Sequence, residues 1–182
     1  MGMPHRLPSY TTDDLRAFPP DGQRYELVQG ALLVTPAPSN LHQIVLTRVF
    51  EQLRRYLPEG SPAWVVTPGE IEVKPRILMD PDILVYPSAY PIGTPWTAIS
   101  DWWLAVEVSS PSSRIYDHEF KGPTYLTLGV REVWMVDPRE HTVSVTRPGA
   151  AEFLVRDRLA WHPPECPQPL SVDLSGLFVG VD

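Results

Sequence analysis

A chain of 182 residues with 43% hydrophobic content is long enough for one well-developed core and too short for two comfortable domains. We therefore predict a single domain over residues 1–182. The formal net charge of −7 disfavours a simple nucleic-acid binder, which usually carries a basic face, although Arg54-Arg55 and Lys74/Arg76 could form a local basic strip.

The cysteine content and the hydropathy pattern indicate the compartment. The one cysteine, Cys166, excludes an intramolecular disulfide and fits a reducing cytoplasm. Residues 1–8 lack the apolar segment of a signal peptide, and no later stretch approaches the roughly 20 apolar residues that span a membrane. We therefore expect a soluble cytoplasmic protein without membrane contact.

The first part of the chain predicts a short helix followed by a hairpin. Thr11 or Thr12 can cap the helix, which stops before Pro19-Pro20. Strand-like runs then fill 24–34 on both sides of Gln29-Gly30, whose glycine tolerates the positive φ of a tight turn.

A longer helix follows the proline-rich loop at 36–39. Asn40 can serve as its N-cap, and apolar residues then recur at helical spacing. We predict a helix over about 42–57, which Pro58 ends.

The pattern turns to strands after residue 63. Apolar or alternating runs predict strands at 64–66, 71–74 and 83–86, the last of which begins directly at Asp82. The proline-rich segment 87–100 is predicted to be a loop that leads into the next strand.

The next strand and helix form the centre of the pattern. A near-continuous apolar run at 102–109 is typical of a buried central strand. Ser110-Pro111-Ser112-Ser113 offers N-caps for a helix over 114–128, which Gly122-Pro123 must kink or break and Gly129 ends.

The C-terminal part adds strands at 131–137, 141–147 and 152–156. The order of elements predicts an α+β, or mixed α/β, fold in which a curved central sheet is flanked by helices. The tail is expected to pack three apolar residues against the core: Leu174, Leu177 and Phe178.

One carboxylate, Glu107, interrupts the central apolar run. Burying an unpaired charge costs several kcal/mol, so this group must be protonated, paired with a cation or bound to a metal. Two simpler interpretations are a glutamate on the wet face of an edge strand and one paired with an arginine.

A second carboxylate, Asp82, opens the preceding strand. Adjacent strands lie about 4.8 Å apart, so Asp82 and Glu107 at matching heights could share a divalent cation with the backbone carbonyl of Val108. Oxygen ligands suit Mg²⁺ or Mn²⁺, and no Cys/His cluster with zinc spacing occurs in the sequence. The alternative for Asp82 is a turn carboxylate before a strand.

Lys121 completes this group of residues. On a helix Asp117, Lys121 and Tyr125 fall on one face, and an amine near the metal can offset charge on a scissile phosphate. The alternative is an exposed lysine that pairs only with Asp117.

These motifs resemble a known family. Asp82 within Pro-Asp-Ile-Leu-Val and Glu107 within Val-Glu-Val-Ser-Ser-Pro-Ser-Ser-Arg resemble the acidic residues of the PD-(D/E)XK nuclease superfamily. More narrowly, the chain resembles the Uma restriction-endonuclease family over about 25–147. Three further stretches carry the likeness: Tyr25-Glu26-Leu27-Val28-Gln29-Gly30, His42-Gln43, and the run from Gly129 to Pro138.

The resemblance implies a restriction-endonuclease-like core, a Mg²⁺-dependent phosphodiesterase site and a homodimer. It implies that Asp82 and Glu107 are metal ligands and that Glu26 is an additional acidic contributor. The superfamily lysine is expected two residues after the glutamate, where this chain has Ser109, and Lys121 fits the position to which the Uma branch moves it. His42 would lie near the same cleft, or would serve as a capping or packing residue.

These residues favour a metal-dependent endonuclease in which a metal held by two carboxylates activates water for attack on a DNA phosphodiester, while Lys121 supports the developing charge. Two other functions fit the same sequence. One is a binding or assembly module that keeps the nuclease fold without activity, and the other is a metal-dependent hydrolase of small phosphoesters, which needs no basic track.

Overall fold

The computed structural model describes residues 9–35, 37–110 and 113–181. Residues 1–8, Pro36 of the predicted loop, and Pro111 and Ser112 of the predicted capping segment lie outside the described residues. The described strands, in chain order, are β1 (Arg24–Val28), β2 (Ala31–Thr35), β3 (Ala63–Val66), β4 (Ile71–Val73), β5 (Ile77–Met79), β6 (Ile83–Pro87), β7 (Leu104–Val108), β8 (Val133–Asp137), β9 (Thr142–Thr146), β10 (Phe153–Val155), β11 (Arg158–Trp161) and β12 (Leu170–Asp173). The helices are α1 (Thr12–Arg16), α2 (Asn40–Tyr56), α3 (Arg114–Tyr116), α4 (Gly122–Leu128) and α5 (Leu174–Leu177), with a π-helical turn at Asp117–Lys121 and a 3₁₀ turn at Trp96–Ala98.

The central sheet has the order β10-β9-β8-β7-β6-β3. Strands β7 and β8 are parallel, and the other neighbours are antiparallel. Both strands of the parallel pair are buried along their whole length, as expected where helices and strands cover both faces of a sheet. The predicted mixed α/β fold with a central sheet and flanking helices is therefore confirmed.

The two faces of the central sheet carry different layers. On one face, Val106 packs in a cluster with Val49 of α2. On the other face, Ala105 packs in a cluster with Tyr125 of α4 and Met79 of β5, which belongs to a second sheet of order β2-β1-β5-β4. Because side chains alternate along a strand, Glu107, which follows Val106, points to the second face.

Local signals account for most element ends. Thr11 caps α1, and its side chain and that of Asp14 form a reciprocal capping box. In the first hairpin Gln29 and Gly30 both have positive φ, as a two-residue turn of type I′ requires. Helix α2 starts earlier than predicted, because Ser39 rather than Asn40 is its N-cap.

Of the predicted kink or break at Gly122-Pro123, the break does not occur, since the chain stays helical from Arg114 to Leu128 with a π-helical turn before this pair. The Gly122 N–H donates to the carbonyl of Asp117, five residues back, which defines the π-helical turn. Pro123 then stands in the first turn of α4, the part of an α-helix in which proline is best tolerated.

Three short strands were not predicted. Strand β5 has only three residues, and β11 and β12 form a separate antiparallel ribbon in the proline-rich tail. The predicted packing of the tail is confirmed, since Leu174, Leu177 and Phe178 join the same buried cluster as α2. Within the described part of the chain, no helix is long and apolar enough to cross a bilayer.

A buried glycine fixes the approach to β6. The Gly69 N–H donates to the carbonyl of Pro81 at 2.9 Å, directly before Asp82. A side chain at this position would collide with the Cβ of Leu84, which lies on β6 and cannot rotate away.

We expect Gly69→Ala to lower the free energy of unfolding by about 1–3 kcal/mol, because the added methyl group forces the segment around residue 69 away from β6. Urea denaturation measures the change. Gly176→Ala in α5 is the matched control, since nothing lies within 4 Å of its added methyl group and alanine favours a helix. Equal midpoints for the two variants would contradict this account of Gly69.

Candidate active site

Asp82 and Glu107 face each other at one end of β6 and β7. Ile83 pairs with Val106 in this antiparallel ladder, so one further step of the same register brings Asp82 opposite Glu107. Both side chains are buried, and the Val108 N–H donates to Asp82 Oδ2 at 2.8 Å. The structure therefore brings together the two carboxylates that the sequence singled out.

Asp82 is held by two cationic or polar partners besides this backbone group. Arg24 Nη1 lies 3.2 Å from Oδ1, and His42 Nε2 lies 3.0 Å from Oδ2. Burial raises the pKa of Asp82, but the hydrogen bond and charge of His42, with the guanidinium of Arg24, hold the pKa below its ordinary value. Asp82 is therefore an ionised carboxylate with fixed orientation.

Glu107 has a different environment. Its Oε1 accepts a hydrogen bond from the Tyr125 hydroxyl at 2.5 Å and lies 2.8 Å from Lys121 Nζ. Burial raises the pKa of Glu107 to about 8, against the opposing attraction of Lys121 and with support from Asp82 and Asp117. The two central carboxylates thus differ strongly in proton affinity.

Lys121 is buried at the centre of this cluster, with 3% of its surface exposed. Its Nζ lies 2.9 Å from Glu26 Oε1 and 4.0 Å from Asp117 Oδ1, in addition to the contact with Glu107. Burial lowers the pKa of Lys121, but the surrounding carboxylates outweigh burial and raise it, so the amine stays charged. The alternative of an exposed lysine is wrong, and Asp117, Lys121 and Tyr125 do share one inward face.

Glu26 and Arg24 bring β1 into the site. Glu26 is fully buried; its Oε1 accepts the Asp80 N–H at 2.8 Å, and its Oε2 has no hydrogen-bond partner among the described residues. Arg24, which the sequence reasoning missed, also contacts the Asp80 carbonyl and lies 3.5 Å from Glu26 Oε1. Its spacing of two from Glu26 was the available signal, because such residues share one face of a strand.

These residues form the floor of a cleft of about 560 Å³. Its walls come from β2 and the loop after it on one side and from the segment around Tyr116 on the other. Among the described residues that line the cleft, the lysine and arginine side chains are Lys121 and Arg24. The predicted basic strip of Arg54-Arg55 and Lys74/Arg76 lies elsewhere.

The chemistry of this floor fits a divalent cation that prefers oxygen. Within the described ranges, no three His, Cys, Asp or Glu side chains form a ready-made metal centre. However, four carboxylates line the cleft against two cations, and burial, together with the charges of Asp82 and Glu26, raises the pKa of both Glu107 and Asp117. The unpartnered Oε2 of Glu26 adds a further buried oxygen.

Comparisons with known proteins agree with this fold. The sequence model of the Uma2 family, described as "Putative restriction endonuclease", matches residues 12–174 and confirms the likeness seen in the motifs. A solved protein described as "a putative nuclease belonging to DUF820 from Anabaena variabilis ATCC 29413" covers 93% of this chain and 97% of its own, with a TM-score of 0.73 and 19% identity. At that identity the match confirms the predicted fold class. A search of curated proteins finds no match.

The raised pKa values predict that the free energy of unfolding falls as pH rises. Glu107 has an ordinary pKa of 4.5 and a folded-state pKa of about 8, and burial raises that of Asp80 to about 6. The folded state therefore binds these protons more tightly, so their stabilisation is complete below the ordinary values and is lost as pH rises through 6 and 8.

Urea denaturation over this pH range measures the loss. Glu107→Gln cannot titrate, so the fall between about pH 6 and pH 8 should disappear in this variant while the Asp80 contribution to the fall below about pH 6 remains. If the free energy of unfolding of Glu107→Gln depended on pH as in the wild type, the assignment of the fall below pH 8 to Glu107 would be contradicted.

Removing the central cation should destabilise the fold strongly. We expect Lys121→Met to cost about 3–5 kcal/mol at neutral pH, because it leaves the carboxylates of Glu26 and Glu107 buried without their shared partner. The cost should shrink in acid, where the carboxylates take up protons. Lys74→Met is the control, since Lys74 pairs with Asp13 on the exposed surface, where solvent screens the interaction. Similar losses of unfolding free energy in both variants would contradict the role of Lys121 as the shared partner of Glu26 and Glu107.

Proposed function

Because this chain belongs to the Uma2 family, described as "Putative restriction endonuclease", we propose that it is a divalent-metal-dependent endonuclease that hydrolyses DNA phosphodiester bonds. The observation that carries the proposal is the facing pair Asp82 and Glu107 on the floor of a cleft, with Lys121 Nζ 2.8 Å from Glu107. A homodimer, implied by the family resemblance, and a cytoplasmic location, suggested by the cysteine content, complete the proposal.

The residues proposed to hold Mg²⁺ or Mn²⁺ are Asp82 and Glu107, with the carbonyl oxygen of Val108 and with Glu26 as an additional acidic group. When bound, such an ion supplies a Lewis acid that lowers the pKa of water and neutralises phosphate charge. Asp82 enters this arrangement already ionised, whereas Glu107 gives up its proton near neutral pH.

Lys121 contributes positive charge rather than a base. Its raised pKa keeps the amine protonated, and its Nζ lies where negative charge on a phosphate would develop beside Glu107. Tyr125 orients Glu107 by donating to Oε1, and His42 orients Asp82 through Nε2. These two are positioning residues in the proposal.

Arg24 is the cation of the floor that reaches solvent. Its side chain is 33% exposed, compared with 3% for Lys121. A planar guanidinium can contact a phosphate with two N–H groups. We assign Arg24 the role of holding the phosphate that lies over the two carboxylates.

Nicking of supercoiled plasmid at low salt in Mg²⁺ and in Mn²⁺ tests the function. We expect Asp82→Asn and Glu107→Gln to lose about 100-fold or more of the cleavage rate, because each removes a charged oxygen ligand. Glu51→Gln, on the exposed side of α2, is the matched control and should cleave like the wild type.

A second readout is independent of cleavage. Isothermal titration should show Mn²⁺ binding to the wild type and to Glu51→Gln, and weaker binding to Glu107→Gln. Cleavage that survives in Glu107→Gln overturns the site. Hydrolysis of bis(p-nitrophenyl) phosphate without DNA cleavage would favour the small-phosphoester hydrolase, and the absence of metal binding and cleavage would favour the binding module.

A further inference from the structure

Two exposed aromatic side chains lie next to each other where Tyr116 lines the cleft. Tyr116 is 47% and Phe120 49% exposed, and their ring centroids lie 6.0 Å apart with planes inclined by 32°. Tyr116 directly precedes the π-helical turn and Phe120 lies within it, whereas Asp117 and Lys121 of the same turn are buried and line the floor. Tyr116 itself lines the cleft. The same turn therefore presents charge to the floor and an aromatic surface to solvent.

The part of the cleft lining that comes from β2 is also apolar. Leu32, Leu33 and Val34 of β2 line it, and Val34 is 51% exposed. Pro38 continues this wall beyond the strand. A flat apolar group that enters the cleft therefore meets apolar surface on both sides before it reaches the charged floor.

The charges of the cleft disfavour a bound duplex. Proteins that track a DNA duplex neutralise several phosphates with lysine and arginine side chains. Here the lining lysine and arginine in the described chain are Lys121 and Arg24, and both are paired with carboxylates. The four carboxylates that line the cleft outnumber these two cations. Affinity for DNA must therefore come mainly from contacts with bases, whose faces are unstacked and accessible only in single-stranded segments.

We propose, on the basis of the proposed function, that the substrate of this site is single-stranded DNA. One base stacks on Tyr116 and Phe120 and faces the β2 wall, and its phosphate lies toward Arg24 and Lys121. Stacking on exposed aromatic rings is tolerant of sequence and typically contributes about 1–3 kcal/mol per base. The aromatic pair thus replaces the basic track that a duplex-binding protein would need.

Fluorescence anisotropy with a labelled 12-nucleotide strand and its duplex, in EDTA and low salt, tests the proposal without cleavage. We expect the single strand to bind about tenfold more tightly than the duplex. Tyr116→Ala and Phe120→Ala should each weaken single-strand binding about tenfold, whereas Tyr116→Phe keeps the ring and should bind within about twofold of the wild type. Ile115→Ala is the matched control, since Ile115 is 68% exposed beside Tyr116 and does not line this cleft.

Cleavage of the same two DNAs in Mn²⁺ separates this inference from the proposed function. Equal binding and cleavage of duplex and single strand, with no effect of Tyr116→Ala, would overturn the inference and leave the nuclease intact. Absence of metal binding and of all cleavage would overturn the nuclease. Tyr116-dependent binding of the single strand would then still support the aromatic surface as its contact.

Discussion

The buried ammonium of Lys121 joins the two sheets of this protein. It lies between Glu26, on β1 of the smaller sheet, and Glu107, on β7 of the central sheet, within 2.9 Å of a carboxylate oxygen on each. Buried ion pairs contribute little net stability compared with apolar residues of the same size, because desolvation offsets the attraction. The cluster is thus better explained by the chemistry of the site than by a contribution to folding stability, and the surrounding backbone accommodates it.

The backbone around Lys121 shows how the fold accommodates the buried charged cluster. Gly122 packs against β8 so closely that an added Cβ would lie 3.1 Å from the methyl group of Met135. The π-helical turn keeps the chain helical through Gly122 and Pro123 while its cation points to the carboxylates. The glycine and proline therefore bring the helix close to the sheet at the site. Π-helical turns inside longer helices frequently occur at functional positions.

The environments of the two central carboxylates, Asp82 and Glu107, give them different proton affinities. Three donors hold the charge of Asp82, and burial favours the neutral form of Glu107. Neighbouring groups with separated proton affinities are typical of sites that handle protons. The same surplus of negative charge that raises the pKa of Glu107 makes the floor receptive to a divalent cation, and it leaves the cleft poorly suited to a long phosphate backbone.

The sequence alone determined the elements that depend on local signals: the capped α1, the Gln29-Gly30 hairpin, the buried central strand and the end of α4 at Gly129. It also singled out Glu107, because a charge in an apolar run is conspicuous along the chain. Asp82 was found at the start of the preceding strand, and Lys121 by its helical spacing from Asp117 and Tyr125. The order of the strands and the short β5 depended on tertiary pairing, which carries no clear local signal. Only the tertiary structure decided that Arg24 joins the site, because its partners Asp80 and Asp82 lie more than fifty residues away in the chain. Only it decided that Gly122-Pro123 continues the helix, since packing against β8 and a shifted hydrogen bond override the local preference of proline to end a helix.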